Sequence, residues 1–294
     1  MNLNDLFTSK GVDPRRVLIL RHRPHEPELN KVLPWLAAER PGLFNAYQQT
    51  QTERLEKVME GMSGSGYVAS FIAHGAGKAL FVGLYSIGTT RPLTLDEYWR
   101  VPANIELKAF GMKESTGESP RKSILWFDLV LTDFYASWKG KLIIGWPPPE
   151  RAWWRRSHRN VMPVLAILED SALDPAVPEW DEIIVSWKQL TVLPARLKSA
   201  LSYWRGIYYI FDASDGKGYV GSAYGEQNIY GRWLDYAASG HGGNRLLRQR
   251  DPSNLRFSIL QRVSPDMDAG DVIRLESSWK ERLHTRQPYG LNDN

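Results

Sequence analysis

Two short apolar arms, each bearing a tyrosine and separated by a turn sequence, constrain this chain more than any other stretch. Gly206 to Ile210 reads GIYYI, Tyr219-Val220-Gly221 forms the second arm, and ten residues separate Tyr208 from Tyr219. Asp212 to Lys217 between them reads DASDGK. Aromatic and β-branched residues flanking a Gly- and Asp-bearing reversal predict a β-hairpin. Glu226 to Ala238 then predicts a helix, with Arg232 and Tyr236 four apart on one face and Ile229 and Trp233 flanking it. Leu255 to Val263 predicts a third strand. Gly270 to Thr285 predicts a second helix, with Asp268 as its cap. Its apolar stripe is Val272, Leu275, Trp279 and Leu283, and Glu276 falls at the edge of that stripe. Asn292 follows in PYGLN.

Taken in this order, residues 205–294 resemble the GIY-YIG endonuclease family. That family includes phage homing endonucleases, excision-repair nuclease subunits and some restriction enzymes. The resemblance covers about a third of the chain. It rests on GIY at Gly206 to Tyr208, the YIG variant at Tyr219 to Gly221, then Arg232, Glu276 and Asn292. It implies a β-β-α-β-α fold and metal-dependent hydrolysis of DNA phosphodiesters, with Mg²⁺ or Mn²⁺ held by Glu276. By position, Tyr208 would be the base that activates water. Arg232 would offer its donor fork to the developing phosphorane, and Tyr219 and Tyr236 would position water or phosphate. Asn292 would orient Glu276 or pin the C-terminal tail against the site. A phenol has an ordinary pKa of about 10, so a tyrosine base would need lowering by the metal and Arg232. Two departures stand out: Val220 replaces isoleucine, and Ser222 stands where repair-type members often have lysine. Four residues after Arg232 some members have histidine and others tyrosine, and Tyr236 is the variant seen among restriction-type members. Singly, each residue has a plainer explanation. Tyrosines in paired strands usually just pack, and Glu276 and Lys280 are spaced for an ordinary i,i+4 ion pair. Their ordered conjunction favours the nuclease.

Upstream, the pattern is mixed and β-rich. Strands are predicted at Val17 to Leu20, Tyr67 to Ala73, Ala79 to Ile87, Ile124 to Leu131, Lys141 to Trp146 and Ile183 to Trp187, and a helix over Leu43 to Glu60. Proline-bearing segments between Ser171 and Leu193 read as a linker. This predicts an α+β chain with a recognition domain over 1–193 and the nuclease over 194–294. Nine of the twelve tryptophans precede residue 195. The run Arg151 to Arg159, RAWWRRSHR, combines phosphate-neutralising arginines with stacking indoles. It nominates Arg151, Trp153, Trp154, Arg155, Arg156 and Arg159 as DNA contacts. Arg245 and Arg248, after the SGHGGN loop, join them. The hairpin Tyr67 to Ile87, with Phe81, Gly83 and Tyr85, is similar to PUA-like modification-reading domains, which makes a modified-base reader a second expectation.

Composition closes off other classes. The chain has no cysteine, which removes disulfides, thiolate nucleophiles and cysteine-based zinc sites and suits a reducing cytoplasm. No apolar run approaches the ~20 residues of a membrane span, and the first residues lack the apolar core of a signal peptide. Pro24 spoils the His22–His25 pair as a metal site. The net charge of +4 is mild, and residues 205–294 hold 12 Lys+Arg against 11 Asp+Glu. DNA affinity must therefore come from local patches. The reading is an endonuclease in restriction or defence. The alternatives are a repair or mobile-element nuclease, or a catalytically silent DNA-binding protein. Double-strand cleavage would need a homodimer or two successive events.

Overall fold

Val17–His22 (β1) is buried at every position, as an interior strand covered on both faces must be. The computed structural model describes residues 1–113, 121–226 and 228–293. It divides into two units, Met1–Asp174 and Pro175–Asn294, and both mix helices with a sheet. No helix among the described residues is long and apolar enough to cross a membrane.

In the first unit the helices are α1 (Leu3–Ser9), α2 (Pro27–Glu39), α3 (Pro41–Gln48), α4 (Glu53–Glu60), α5 (Leu95–Arg100) and α6 (Pro102–Lys108). The strands after β1 are β2 (Tyr67–Ala73), β3 (Lys78–Thr94), β4 (Ser123–Leu131), β5 (Leu142–Gly145), β6 (Trp154–Arg156) and β7 (Val164–Ile167). The sheet order is β6-β1-β2-β3-β5-β7, with β4 also paired to β3. β1 and β2 run parallel, so the connection between them must cross over, and it does so through α2, α3 and α4. Leu6, Phe7, Ile19, Phe71, Phe81 and Trp146 share one apolar core.

One expectation needs correcting in this unit. The helix predicted over Leu43 to Glu60 is two helices. The chain between α3 and α4 extends at Thr50 to bridge Trp126, and the Phe127 amide donates to the Gln49 carbonyl at 2.9 Å. Sheet pairing there overrides the helical periodicity. Phe81 and Tyr85 of the Tyr67 to Ile87 hairpin are buried in the interior.

The second unit begins earlier than its sequence suggests. Ile184–Ser186 (β8) pairs with Leu255–Val263 (β11), Arg256 opposite Ser186. The predicted last strand of the first domain is therefore the outer strand of the second sheet. Trp187 Nε1 also donates to the Tyr236 carbonyl at 3.4 Å. Proline and acid content marked this segment as linker, but long-range pairing decides its allegiance. The remaining elements are α7 (Ala195–Tyr203), β9 (Arg205–Asp212), β10 (Gly218–Ala223), α8 (Asn228–Ser239) and α9 (Ala269–Arg282). Position 227, inside the predicted helix, lies outside the described residues. From Arg205 the order is strand, strand, helix, strand, helix, and the antiparallel sheet reads β10-β9-β11-β8. Alternation sorts the side chains of β9 and β10. Ile207 and Val220 join Val272 and Leu275 on the α9 side. Tyr208 and Tyr219 go to the other face, beside Tyr236 of α8.

Candidate active site

β10 is an edge strand, so groups from both faces of the sheet meet around it. Its outer side is occupied by the C-terminal tail. The Val220 amide donates to Asn292 Oδ1 at 2.9 Å, and Asn292 Nδ2 donates to the Val220 carbonyl at 2.8 Å. One side-chain amide thus completes both free edge groups of Val220. Asn292 is buried and holds the tail; of the two roles expected for it, the structure shows pinning. It makes no hydrogen bond to Glu276 among the described residues.

On the α8 face three tyrosines converge. The Tyr208 and Tyr236 hydroxyls are 3.1 Å apart. The ring of Tyr219 lies 6.5 Å from that of Tyr208 and 6.1 Å from that of Tyr236. Tyr208 and Tyr236 are 0% exposed, whereas Tyr219 is half-buried. Two glycines, Gly221 of the motif and Gly242 of the SGHGGN loop, explain this packing. A Cβ on Gly221 would lie 2.5 Å from Tyr208 Cζ, and one on Gly242 would lie 2.6 Å from Tyr236 Cε1. Each tyrosine rests on backbone that only glycine leaves open.

Burial pushes Tyr208 above the phenol range, reinforced by Tyr219. Arg232 and a bond from Tyr236 pull it back. Burial also raises Tyr219, with Tyr236 and Arg232 opposing and Glu276 adding to it. Tyr236 is raised well above the phenol range by burial and by its two neighbours. Arg232 is raised in turn, first by Tyr208. The protein's own residues therefore do not lower Tyr208 as expected; desolvation outweighs the guanidinium. Arg232 itself is only partly covered, 43% exposed, and meets Asp235 at 3.7 Å.

On the α9 face, Ser222 Oγ donates to Glu276 Oε2, and Lys280 Nζ lies 2.8 Å from Glu276 Oε1. The i,i+4 ion pair legible in the sequence is thus formed, but within the site. Tyr219, Glu276, Lys280, Arg245 and Asp293 line an open cleft of about 400 Å³ together with Gly242, Gly243 and Asn244. Sequence reasoning missed Lys280, Asp293 and the glycine loop as parts of this cleft. The Glu276 spacing pointed to Lys280, but only the fold shows that its ammonium is buried.

The proposed DNA contacts are dispersed. Arg245 is exposed and holds Asp293 with two bonds of 3.2 Å. Arg248 is exposed. In the first unit Arg151 and Arg159 are exposed and Arg156 is half-buried. Arg155 is spent on the chain itself, donating to the Pro147 and Pro149 carbonyls at 3.3 and 3.2 Å. Trp154 lies under Arg54, 5.9 Å from the guanidinium to the ring centre. Trp153 lines a separate cavity of the first unit.

No family model matches the chain, and no curated protein matches it. Among solved structures, the chain is similar to the catalytic domain of the homing endonuclease I-TevI. Identity is 24%, over 31% of this chain and 98% of that one, with a TM-score of 0.26. A mutant of the catalytic domain of intron endonuclease I-TevI is similar at 23% identity, over 31% of this chain and 94% of that one, with a TM-score of 0.26.

Proposed function

We propose that this chain is a metal-dependent DNA endonuclease of the GIY-YIG type. Its second unit hydrolyses phosphodiesters and its first unit selects the DNA. One observation carries the reading: the edge of β10 brings Tyr208, Tyr219, Tyr236 and Arg232 on one face to Glu276 on the other, beside an open cleft.

The donor set fits a hard divalent cation. Among the described residues no three His, Asp or Glu side chains form a metal cage. Glu276 offers one carboxylate in a cleft with room for a hydrated ion, and Mg²⁺ prefers one or two carboxylates plus water and phosphate. When bound, it would neutralise charge on the scissile phosphate. Ser222 fixes the carboxylate by donating to one oxygen. Arg232 faces the phenols and is partly open to solvent, so it can serve the phosphate as well. Tyr208 takes the proton of the attacking water, which Tyr219 positions at the cleft. Tyr236 stays neutral and donates. One site cuts one strand, so a double-strand break takes two copies or two events. Restriction or defence suits a nuclease joined to a selecting unit with tyrosine at position 236.

The test is nicking of supercoiled plasmids, unmodified and carrying modified bases, by the full chain with Mg²⁺. Wild type converts them to open circles, and Glu276→Ala loses about a hundredfold or more of that rate. Undiminished cleavage by Glu276→Ala would remove the metal ligand and the reading with it.

A further inference from the structure

The first unit holds a cavity of about 450 Å³ that the nuclease site does not use. Tyr47 of α3, Tyr98 of α5 and Trp153, just before β6, line it. Arg23 and Lys113, both exposed, line it too. Its size lies within the range of small-molecule pockets, roughly 300–1,000 Å³. Tyr98 is buried, and the half-buried Tyr47 and Trp153 supply aromatic surface on which a planar heterocycle can stack.

His22 also lines this cavity. It is 4% exposed, with its ring edge-on to Phe44 and Tyr47 at 5.4 and 5.3 Å. Among the described residues its Nε2 has no hydrogen-bond partner. Burial lowers its pKa to about 4, against a bond from Gln48, so the imidazole is neutral at pH 7. An orphaned neutral ring nitrogen beside an aromatic cavity suits a ligand with its own ring-edge donors or acceptors. Nucleobases have such edges as well as flat faces. The cations lining the cavity suit the phosphates on either side of one base. Trp153 also runs directly into the arginine-bearing edge strand β6, two residues after exposed Arg151.

We propose that this cavity receives a single base extruded from duplex DNA. The inference rests on DNA selection by the first unit and gives that selection its chemical form. Unpairing has a cost, and stacking between aromatic walls recovers it.

Binding without metal tests it, using the full chain in EDTA so that no cleavage is required. Random duplex pools, unmodified or carrying 5-methylcytosine, 5-hydroxymethylcytosine or N6-methyladenine, are passed over the protein and the bound duplexes sequenced. In a bound duplex, an abasic residue is then placed opposite each base in turn. The expected result is one position at which loss of the opposing base tightens binding about tenfold or more, because unpairing no longer opposes entry. Tyr47→Ala and Trp153→Ala should each weaken binding to the intact duplex about tenfold, while Tyr47→Phe and Trp153→Phe retain it and report an intact fold. The inference is overturned if no position responds, if both alanine variants bind as wild type, or if free nucleotides compete as well as duplex. Nicking that needs Glu276 but shows no responsive position retires this inference alone. A chain that binds no duplex retires it together with DNA selection by the first unit.

Discussion

Tyr208 is where burial and chemistry oppose each other most directly. A base must lose its proton, yet desolvation holds this phenol above its ordinary range. The direction sets the pH profile. In the proposed mechanism the phenolate is the active form, and with its pKa raised above 10 its fraction grows with each step in pH up to that value. Single-turnover nicking should therefore climb about tenfold per pH unit from about 7 to 10 without a plateau. Tyr208→Phe and Tyr219→Phe should each flatten that climb, and a plateau near neutrality in wild type would exclude the tyrosine base. The identities of these residues were legible in the ordered motif. Their state was not, because burial depends on Gly242 reaching Tyr236 from a loop that carries no periodicity. Asn292 shows the same limit. Its position in the chain was plain, but its use as a stand-in strand against Val220 follows only from the sheet edge.

At the scale of elements, α9 joins structure to chemistry. One turn of helix sets Lys280 against Glu276, so the carboxylate is paired before any cation reaches it. In the proposed mechanism a divalent ion would share or displace that ammonium. Lys280→Met keeps the stem and removes the charge. It should lower the half-saturating Mg²⁺ concentration for nicking about threefold or more, as read from a metal titration. An unchanged or higher midpoint would show that Lys280 serves the phosphate instead. The bounds of β11 and the Asp268 cap of α9 follow from local pattern, since alternation and capping are local physics. The break between α3 and α4 does not. It is imposed by pairing of Thr50 with Trp126, far along the chain.

For the whole molecule, the decisive fact is where the units divide. β8 satisfies the outer side of β11, and a fragment starting at residue 194 would leave that side open. An open β edge invites association. A fragment of residues 175–294 should melt cooperatively and stay monomeric, whereas 194–294 should aggregate or melt without a clear transition. Calorimetry and light scattering distinguish them, and equal behaviour would show β8 to be dispensable. The division also redistributes the indoles. With the boundary after Asp174, the first unit holds seven tryptophans and the second five. In proportion to length the two are nearly even, so the apparent surplus upstream of residue 195 came from a misplaced border. Intrinsic fluorescence consequently follows both units at once. Trp233, wholly enclosed beside Phe257, would emit in the blue as a reporter of the second unit. Trp153, on the cavity wall, would dim when a base stacks on it, giving a label-free signal for occupancy of the first.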